Sequence, residues 1–342
     1  MKRCFVLWVC VGLTGWVHAG DAFLAFEGRP ETKAAIQAFE DQDLYVPLSD
    51  EVRLCTYNIQ DFWEGHEERE RTWEHAHQQA RVAAAIIDEV KADVLILQEF
   101  ESAEMVRLLN QYIEQPYAVG YITAFGSTWG DLSRLNLAVL SRFPLQNVTE
   151  LDFAPLEGPG RPTRGLLRFE LTECDAVSFL FYNLHLKSNW GDTHRNQSQR
   201  HNSMVLLRED WAAWADTQSD STTWEVIVAG DFNVDPEHPS FADDPSLRTL
   251  DDMLDLWAGR SLKERITVPT RYGVPRLEFP PVAFDRFYVT PGLAQGPWVA
   301  GQTEVLAKGV NTADAEAVAG ADEDMASDHY PVYLQLYRSD IP

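Results

Sequence analysis

Five polar motifs in this chain each sit at the end of an apolar run. They are Tyr57-Asn58, Gln98-Glu99, Asn183-Leu184-His185-Leu186-Lys187, Gly230-Asp231-Phe232-Asn233 and Ser327-Asp328-His329-Tyr330, with Phe284-Asp285-Arg286 ahead of the last. Carboxylates, amides and histidines that converge on the rim of a sheet are the groups that metal-assisted hydrolysis of a phosphate ester needs.

Glu99 follows Val94-Leu95-Ile96-Leu97-Gln98, and a carboxylate that ends a parallel strand stands at the crevice where α/β sheets bind ligands. Carboxylates suit Mg²⁺, which takes few protein ligands and keeps several waters. Asp231 and Asn233 are two apart, so both point to one side while the chain stays extended, one to take a proton from water and the other to orient it. A turn capped by its own Asx side chains would use the same residues. Asn183, His185 and Lys187 alternate with apolar residues, which gives one polar strand face. Asp285 lies in the apolar run Val282–Val289, and a buried carboxylate needs a partner. His329 is the better partner, because Arg286 faces the other side of a regular strand.

The elements that must hold these groups follow from periodicity. Strand-like runs cover Arg53–Ile59, Asp93–Gln98, Tyr117–Thr123, Asn136–Ser141, Gly165–Leu171, Val177–Leu186, Glu225–Ala229, Pro281–Val289 and Pro331–Tyr337. Helical spacing predicts helices over Gln78–Val90, around Met105–Ile113, over Gln197–Trp214, near Leu247–Leu256, and a short one around Thr32–Phe39. Residues 311 to 325 read as a loop. Helices flank strands in both halves and no linker divides them, so one domain of two packed sheets is expected.

The chain has 53 acidic against 28 basic residues, a formal charge of −25. Such a chain does not draw polyanions from a distance, so nucleic-acid binding needs a local basic patch or a bound cation. Residues 1–19 read as a signal peptide: Met1-Lys2-Arg3, an apolar stretch to Val17, and cleavage after Ala19. The apolar stretch is too short to span a bilayer comfortably, so a secreted or periplasmic protein without stable membrane insertion is expected. Its removal takes the charge to −27 and leaves Cys55 and Cys174, both expected unpaired. With 45% hydrophobic residues the chain can bury a large core without disulfides.

In this order the motifs resemble the endonuclease/exonuclease/phosphatase superfamily, the deoxyribonuclease I-like fold. Ala283-Phe284-Asp285-Arg286 and Ser327-Asp328-His329-Tyr330-Pro331-Val332 carry the resemblance most closely. It implies an α/β fold, a four-layer α/β/β/α sandwich of two packed mixed sheets with helices outside. Residues 20–50 then form an N-terminal extension, and 51–340 the catalytic domain. It also implies a Mg²⁺-dependent phosphodiesterase, with Mn²⁺ or Ca²⁺ as alternatives, acting as a monomer. Glu99 resembles the principal metal ligand, with Asn58 beside it and Asp328 as a further carboxylate. Asp231 and Asn233 resemble the pair that activates water. His185 and His329 resemble the histidines around the phosphate, with Asp285 holding His329. Arg164, Lys187 and Asn136 are the expected phosphate-binding residues, although Asn136 stands where the deoxyribonucleases carry an aromatic. Nucleic acid is the favoured substrate. The alternatives are phospholipid or sphingolipid headgroup diesters, soluble phosphate esters, or an inactive binding module.

Overall fold

The computed structural model describes residues 23–65, 71–125, 135–174, 177–218, 222–270, 279–310 and 325–339. The expected signal segment 1–19 and residues 311–324 of the expected loop lie outside them, as does the side chain of Cys174. In chain order the strands are β1 (Glu31–Ala34), β2 (Ile36–Glu40), β3 (Glu51–Phe62), β4 (Val94–Phe100), β5 (Val119–Ile122), β6 (Asn136–Ser141), β7 (Gln146–Asp152), β8 (Leu166–Cys174), β9 (Val177–His185), β10 (Thr223–Asp231), β11 (Leu254–Asp255), β12 (Asp285–Val289), β13 (Trp298–Val305) and β14 (Val332–Arg338). The helices are α1 (Trp73–Val90), α2 (Ala103–Tyr112), α3 (Thr193–Ala215) and the single turn α4 (Leu262–Arg265).

Two mixed seven-stranded sheets result. The first runs β13-β14-β3-β4-β6-β5-β2 and the second β1-β7-β8-β9-β10-β12-β11. Alternation along the strands explains the layers. Val52, Leu54, Val94 and Ile96 meet Phe169, Phe179 and Phe181 between the sheets. Tyr57, Leu95 and Leu97 face the other way, onto Ala80, Ile87 and Leu109 of α1 and α2. Leu180, Tyr182 and Val228 pack on Met204 and Leu207 of α3. This is the four-layer α/β/β/α sandwich. Among the described residues no helix is long and apolar enough to cross a membrane.

Two predicted helices are replaced by other structure. Thr32–Phe39 is extended: β1 pairs with β7 at one sheet edge, and after Ala35 the chain passes directly into β2, which pairs with β5 in the other sheet. Ladder hydrogen bonds to distant strands outweigh the local helical spacing. Near Leu247–Leu256 the chain forms a 3₁₀ turn at Arg248–Leu250 and then β11, which pairs with β12. β7 and β13 carry no clean apolar run and were not expected as strands. Cys55 is a free, buried cysteine.

Candidate active site

Both sheets contribute to one cavity of about 550 Å³, whose polar half includes Asp61, Glu99, Arg164, His185, Asp231, Asn233, Asp328 and His329. Beneath it a polar bridge joins the sheets. Gln98 Nε2 donates to Thr56 Oγ1 (3.1 Å) and Asn183 Oδ1 (2.9 Å), while Asn183 Nδ2 donates to the carbonyls of Leu97 and Ala138 (3.0 Å each).

The backbone is bent to aim the acidic groups. Gln98 pairs with Leu137 and Phe100 with Asn136, so Glu99 is the extra residue of a β-bulge with φ +70°. The bulge turns its carboxylate into the cavity, where Oε2 accepts the Asp61 N–H (2.8 Å). Asp61 (φ +49°) and Asn233 (φ +54°) are also left-handed, a clustering of strained backbone typical of functional sites. Gly230 at φ +139° permits the approach of β9, since a Cβ there would lie 2.0 Å from the Leu184 carbonyl oxygen.

Asp231 is the hub. Its Oδ1 accepts the Asn233 N–H (2.8 Å), and its Oδ2 accepts Nδ2 of Asn233 (3.0 Å) and of Asn58 (3.1 Å). Burial pushes its carboxyl up to about 6, with His329 acting against the rise. His185 Nε2 lies 3.4 Å from Asp231 Oδ2 and 3.6 Å from Glu99 Oε1. Its carboxylate neighbours therefore come from the adjoining strand β10 and, across the sheets, from β4. Burial, and then the charges of Arg164 and His329, hold His185 well below the usual imidazole range, so it is neutral.

His329 Nδ1 is 2.8 Å from Asp285 Oδ2, and its Nε2 is 3.9 Å from Asp231 and 3.8 Å from Asp328. Burial alone would lower its pKa. The charges of Asp285, Asp231 and Asp328 outweigh that and raise it well above normal, so it is an imidazolium. Ser327 fixes the turn that carries it: its Oγ donates to the Asn58 carbonyl (2.5 Å) and accepts the His329 N–H (3.0 Å).

A cation position is written into the donors. Asn58 Nδ2 donates to Glu99 Oε1 (3.2 Å), whereas Asn58 Oδ1 is buried with no hydrogen-bond partner. Such an orphaned oxygen next to a carboxylate fits a hard divalent ion. Burial and then the charge of Asp328 raise the Glu99 pKa, the repulsion a cation would relieve. Asp231, Asp285 and His329 also offer ligand atoms within 4.8 Å of one another, with His329 Nδ1 already committed to Asp285.

Arg164 lines the cavity, and its Nη1 donates to the carbonyls of His185 (3.2 Å) and Leu186 (3.0 Å). The other two expected phosphate contacts are elsewhere. Asn136 uses Oδ1 for Phe125 N–H (3.0 Å) and Nδ2 for the Glu101 carbonyl (3.0 Å), tying rim loops together. Lys187 Nζ donates to the Ser188 and Trp190 carbonyls (3.0 and 3.2 Å), so it braces the 188–190 loop. Both sit where the strand geometry changes, at the bulge and past the end of β9. Arg286 does point away from the site. It is fully buried and pairs with Asp235 (2.8 Å) and Asp255 (2.5 Å), while Arg265 joins the same Asp235 carboxylate. This network pins the turn after Asn233 to β12. Asp235 in Gly230-Asp231-Phe232-Asn233-Val234-Asp235 was its only trace in the sequence.

The profile of the Endonuclease/Exonuclease/phosphatase family matches residues 55–329. Among solved structures, a truncated TDP2 from Caenorhabditis elegans is 18% identical with a TM-score of 0.56, covering 84% of this chain and 98% of that one. D. rerio TDP2 complexed with single strand DNA product is 15% identical with a TM-score of 0.54, covering 84% and 99%. An endonuclease/exonuclease/phosphatase from Bacteroides vulgatus is 16% identical with a TM-score of 0.54, again covering 84% and 99%. No curated protein matches the sequence significantly.

Proposed function

The chain belongs to the endonuclease/exonuclease/phosphatase family of metal-dependent phosphoric ester hydrolases, and we propose that it is an exported, Mg²⁺-dependent nuclease that hydrolyses nucleic-acid phosphodiester bonds. One observation carries the chemistry. Glu99 from the first sheet, Asp231 from the second, and the His329–Asp285 pair meet in one cavity.

A divalent ion held by Glu99, Asp328 and Asn58 Oδ1 would supply Lewis-acid polarisation of the phosphoryl oxygen. Asp231, with its pKa raised to about 6, accepts the proton of the attacking water near neutral pH. Asn233 and Asn58 hold that carboxylate in one orientation. The imidazolium of His329 offers Nε2–H to charge developing on the phosphoryl group, and Asp285 keeps it charged and oriented. Neutral His185 and cationic Arg164 complete the donor set around the phosphate.

The nuclease reading draws support from a structural neighbour described as complexed with single strand DNA product. Trp190, 67% exposed beside the cavity, favours a second reading, a lipid-headgroup phosphodiesterase that dips this ring into an interface. A hydrolysis panel of DNA, RNA, sphingomyelin and small phosphodiesters, each with Mg²⁺ and after chelation, decides between them. DNA or RNA cleavage that vanishes on chelation and in Glu99→Gln is the expected result. Activity that survives both refutes the metal assignment. Export is tested by sequencing the N-terminus of protein expressed with its leader, which should begin at Gly20.

A further inference from the structure

The first half of α3 buries polar side chains that the chemistry above does not use. Asn196, Ser198, Gln199, Arg200, Asn202 and Ser203 are all buried, where a helix normally turns apolar residues inward. The long ones reach the chain around the cavity. Asn196 Nδ2 donates to the Trp190 carbonyl (2.9 Å), Gln199 Nε2 to the Arg161 carbonyl (2.7 Å), and Asn202 Nδ2 to the Gly160 carbonyl (2.8 Å). Arg200, with 2% of its side chain exposed, makes the largest set. Its Nη2 pairs with Asp244, and its Nη1 donates to the Lys187 carbonyl (2.8 Å) and to Asn189 Oδ1 (3.1 Å). Asn189 lines the cavity, and its Nδ2 donates to the Asn233 carbonyl (2.9 Å). A buried cation is thus joined, through one amide, to the turn that follows Asp231.

We propose that Asn189 and Arg200 are positioning residues for the hydrolysis: Arg200 fixes the Asn189 amide, and Asn189 holds the turn that orients Asp231. The inference rests on the assignment of Asp231 as the base that takes the proton of water. A guanidinium can only donate, so Arg200 compels Asn189 Oδ1 to face it, and Nδ2 then faces the Asn233 carbonyl. Without Arg200 the exposed amide would be free to turn its oxygen that way and repel the carbonyl. Asn233 is left-handed, with φ +54°, a backbone that persists only where its surroundings hold it. In that conformation its N–H and Nδ2 both reach Asp231 (2.8 and 3.0 Å). Relaxation of the turn would withdraw both donors and leave the carboxylate held by Asn58 alone. The loop that carries Asn189 is itself tied at both ends, by Arg200 at Lys187 and by Asn196 at Trp190. Such a contact acts on the reacting geometry and not on substrate affinity, so its loss falls on kcat.

The test measures kcat and KM with Mg²⁺ on whichever of DNA, RNA, sphingomyelin or a small phosphodiester the unsubstituted protein cleaves fastest. Asn189→Ala should lower kcat about tenfold with KM within about twofold, and should unfold close to wild type because the side chain is exposed. Asn189→Asp keeps the acceptor for Arg200 and removes the donor to Asn233, so its kcat should fall as far. Wild-type kcat in Asn189→Asp would mean that Asn189 serves only Arg200, and overturns the proposal. Arg200→Lys keeps the charge beside Asp244, but one ammonium does not replace the fork that also spans Lys187 and Asn189. Its kcat should fall too, and Asn189→Ala/Arg200→Lys should be no slower than the slower single variant, because the two act in one line. Losses that multiply in full would overturn that link. A kcat for Asn189→Ala within about twofold of wild type, or a raised KM with kcat unchanged, overturns the positioning role. Asp231→Asn separates the two readings. If it keeps its turnover, the general-base assignment falls as well; if it is inactive while Asn189→Ala is unaffected, only this inference falls. Should the unsubstituted protein cleave none of the four, both fall.

Discussion

Replacing Asp231 by Asn separates chemistry from stability, because the site makes opposite demands on the two. The carboxylate accepts three hydrogen bonds, one on Oδ1 and two on Oδ2. An amide can keep only one acceptor. With its oxygen facing the Asn233 N–H, its NH₂ meets the NH₂ groups of Asn58 and Asn233. Asn58 can rotate to present Oδ1, and Asn233 retains the Leu186 carbonyl (3.2 Å), so about one conflict remains, worth about 1–3 kcal/mol. Against it stands the desolvation of the charged form. Burial moves the pKa from 3.8 to about 6, which corresponds to about 3 kcal/mol carried by the ionised group at neutral pH. A raised carboxyl pKa contributes stability that is present below 3.8 and lost as pH rises through about 6. In metal-free buffer the variant should therefore melt close to wild type at pH 7, and relatively lower at pH 4. Turnover should fall at least about a hundredfold, the scale of a lost general base. Saturating-substrate kinetics in Mg²⁺ and thermal unfolding at the two pH values check both halves. Turnover within tenfold of wild type in a folded variant would refute the role of Asp231.

Three further outcomes follow from neighbouring geometry. Asp285→Asn should lower turnover at least about tenfold and stability by about 1–3 kcal/mol, because Asp285 Oδ1 is buried without a partner and an NH₂ there finds no acceptor; turnover and unfolding unchanged from wild type would contradict the pairing. Lys33→Ala removes the cation that bridges Glu150 (3.3 Å) and Asp152 (3.0 Å), whose side chains are 1% and 5% exposed. Lys33 is itself about a third exposed, so the cost should be about 1–2 kcal/mol at pH 7. It should shrink as pH falls toward 4.5, since burial already raises Glu150 and a protonated carboxyl needs no partner; a loss independent of pH would refute this. Single-stranded DNA should bind Asp231→Asn weakly in chelator and markedly better with Mg²⁺; tight binding in chelator at physiological salt would show a cationic surface this reading lacks.

The candidate catalytic carboxylates Glu99 and Asp231 were legible because each ends an apolar strand, and such strands read clearly when buried on both faces. Asp285, by contrast, opens β12 and was legible as a lone carboxylate in an apolar run. The edge strands β1 and β2 were not legible, because Thr32–Phe39 has helical spacing and its partners lie about a hundred residues away, at β7 and β5. Separation along the chain also hid the Arg286–Asp235 pair, 51 residues apart. Lys187 failed for a local reason: period-two alternation predicts direction only while a strand is regular, and Lys187 lies past the end of β9.

The division of the site between sheets sets what the fold must hold fixed. Asn58 and Glu99 come from β3 and β4, His185 and Asp231 from β9 and β10, and the two groups meet only across the apolar layer between the sheets. Apolar packing there resists separation but fixes lateral register poorly, since sliding costs little area. The Gln98–Asn183 bridge supplies the missing direction. Asn183 Nδ2 reaches carbonyls on β4 and β6 from β9, and its Oδ1 accepts Gln98 Nε2. A slide of one residue along a strand would break all three bonds in a fully buried layer, at about 1–3 kcal/mol for each group left unpaired. Asn183 lies two residues before His185 on the same face of β9, and Gln98 one residue before Glu99. The bridge that sets the register thus sits directly under the residues whose mutual distances the reaction depends on.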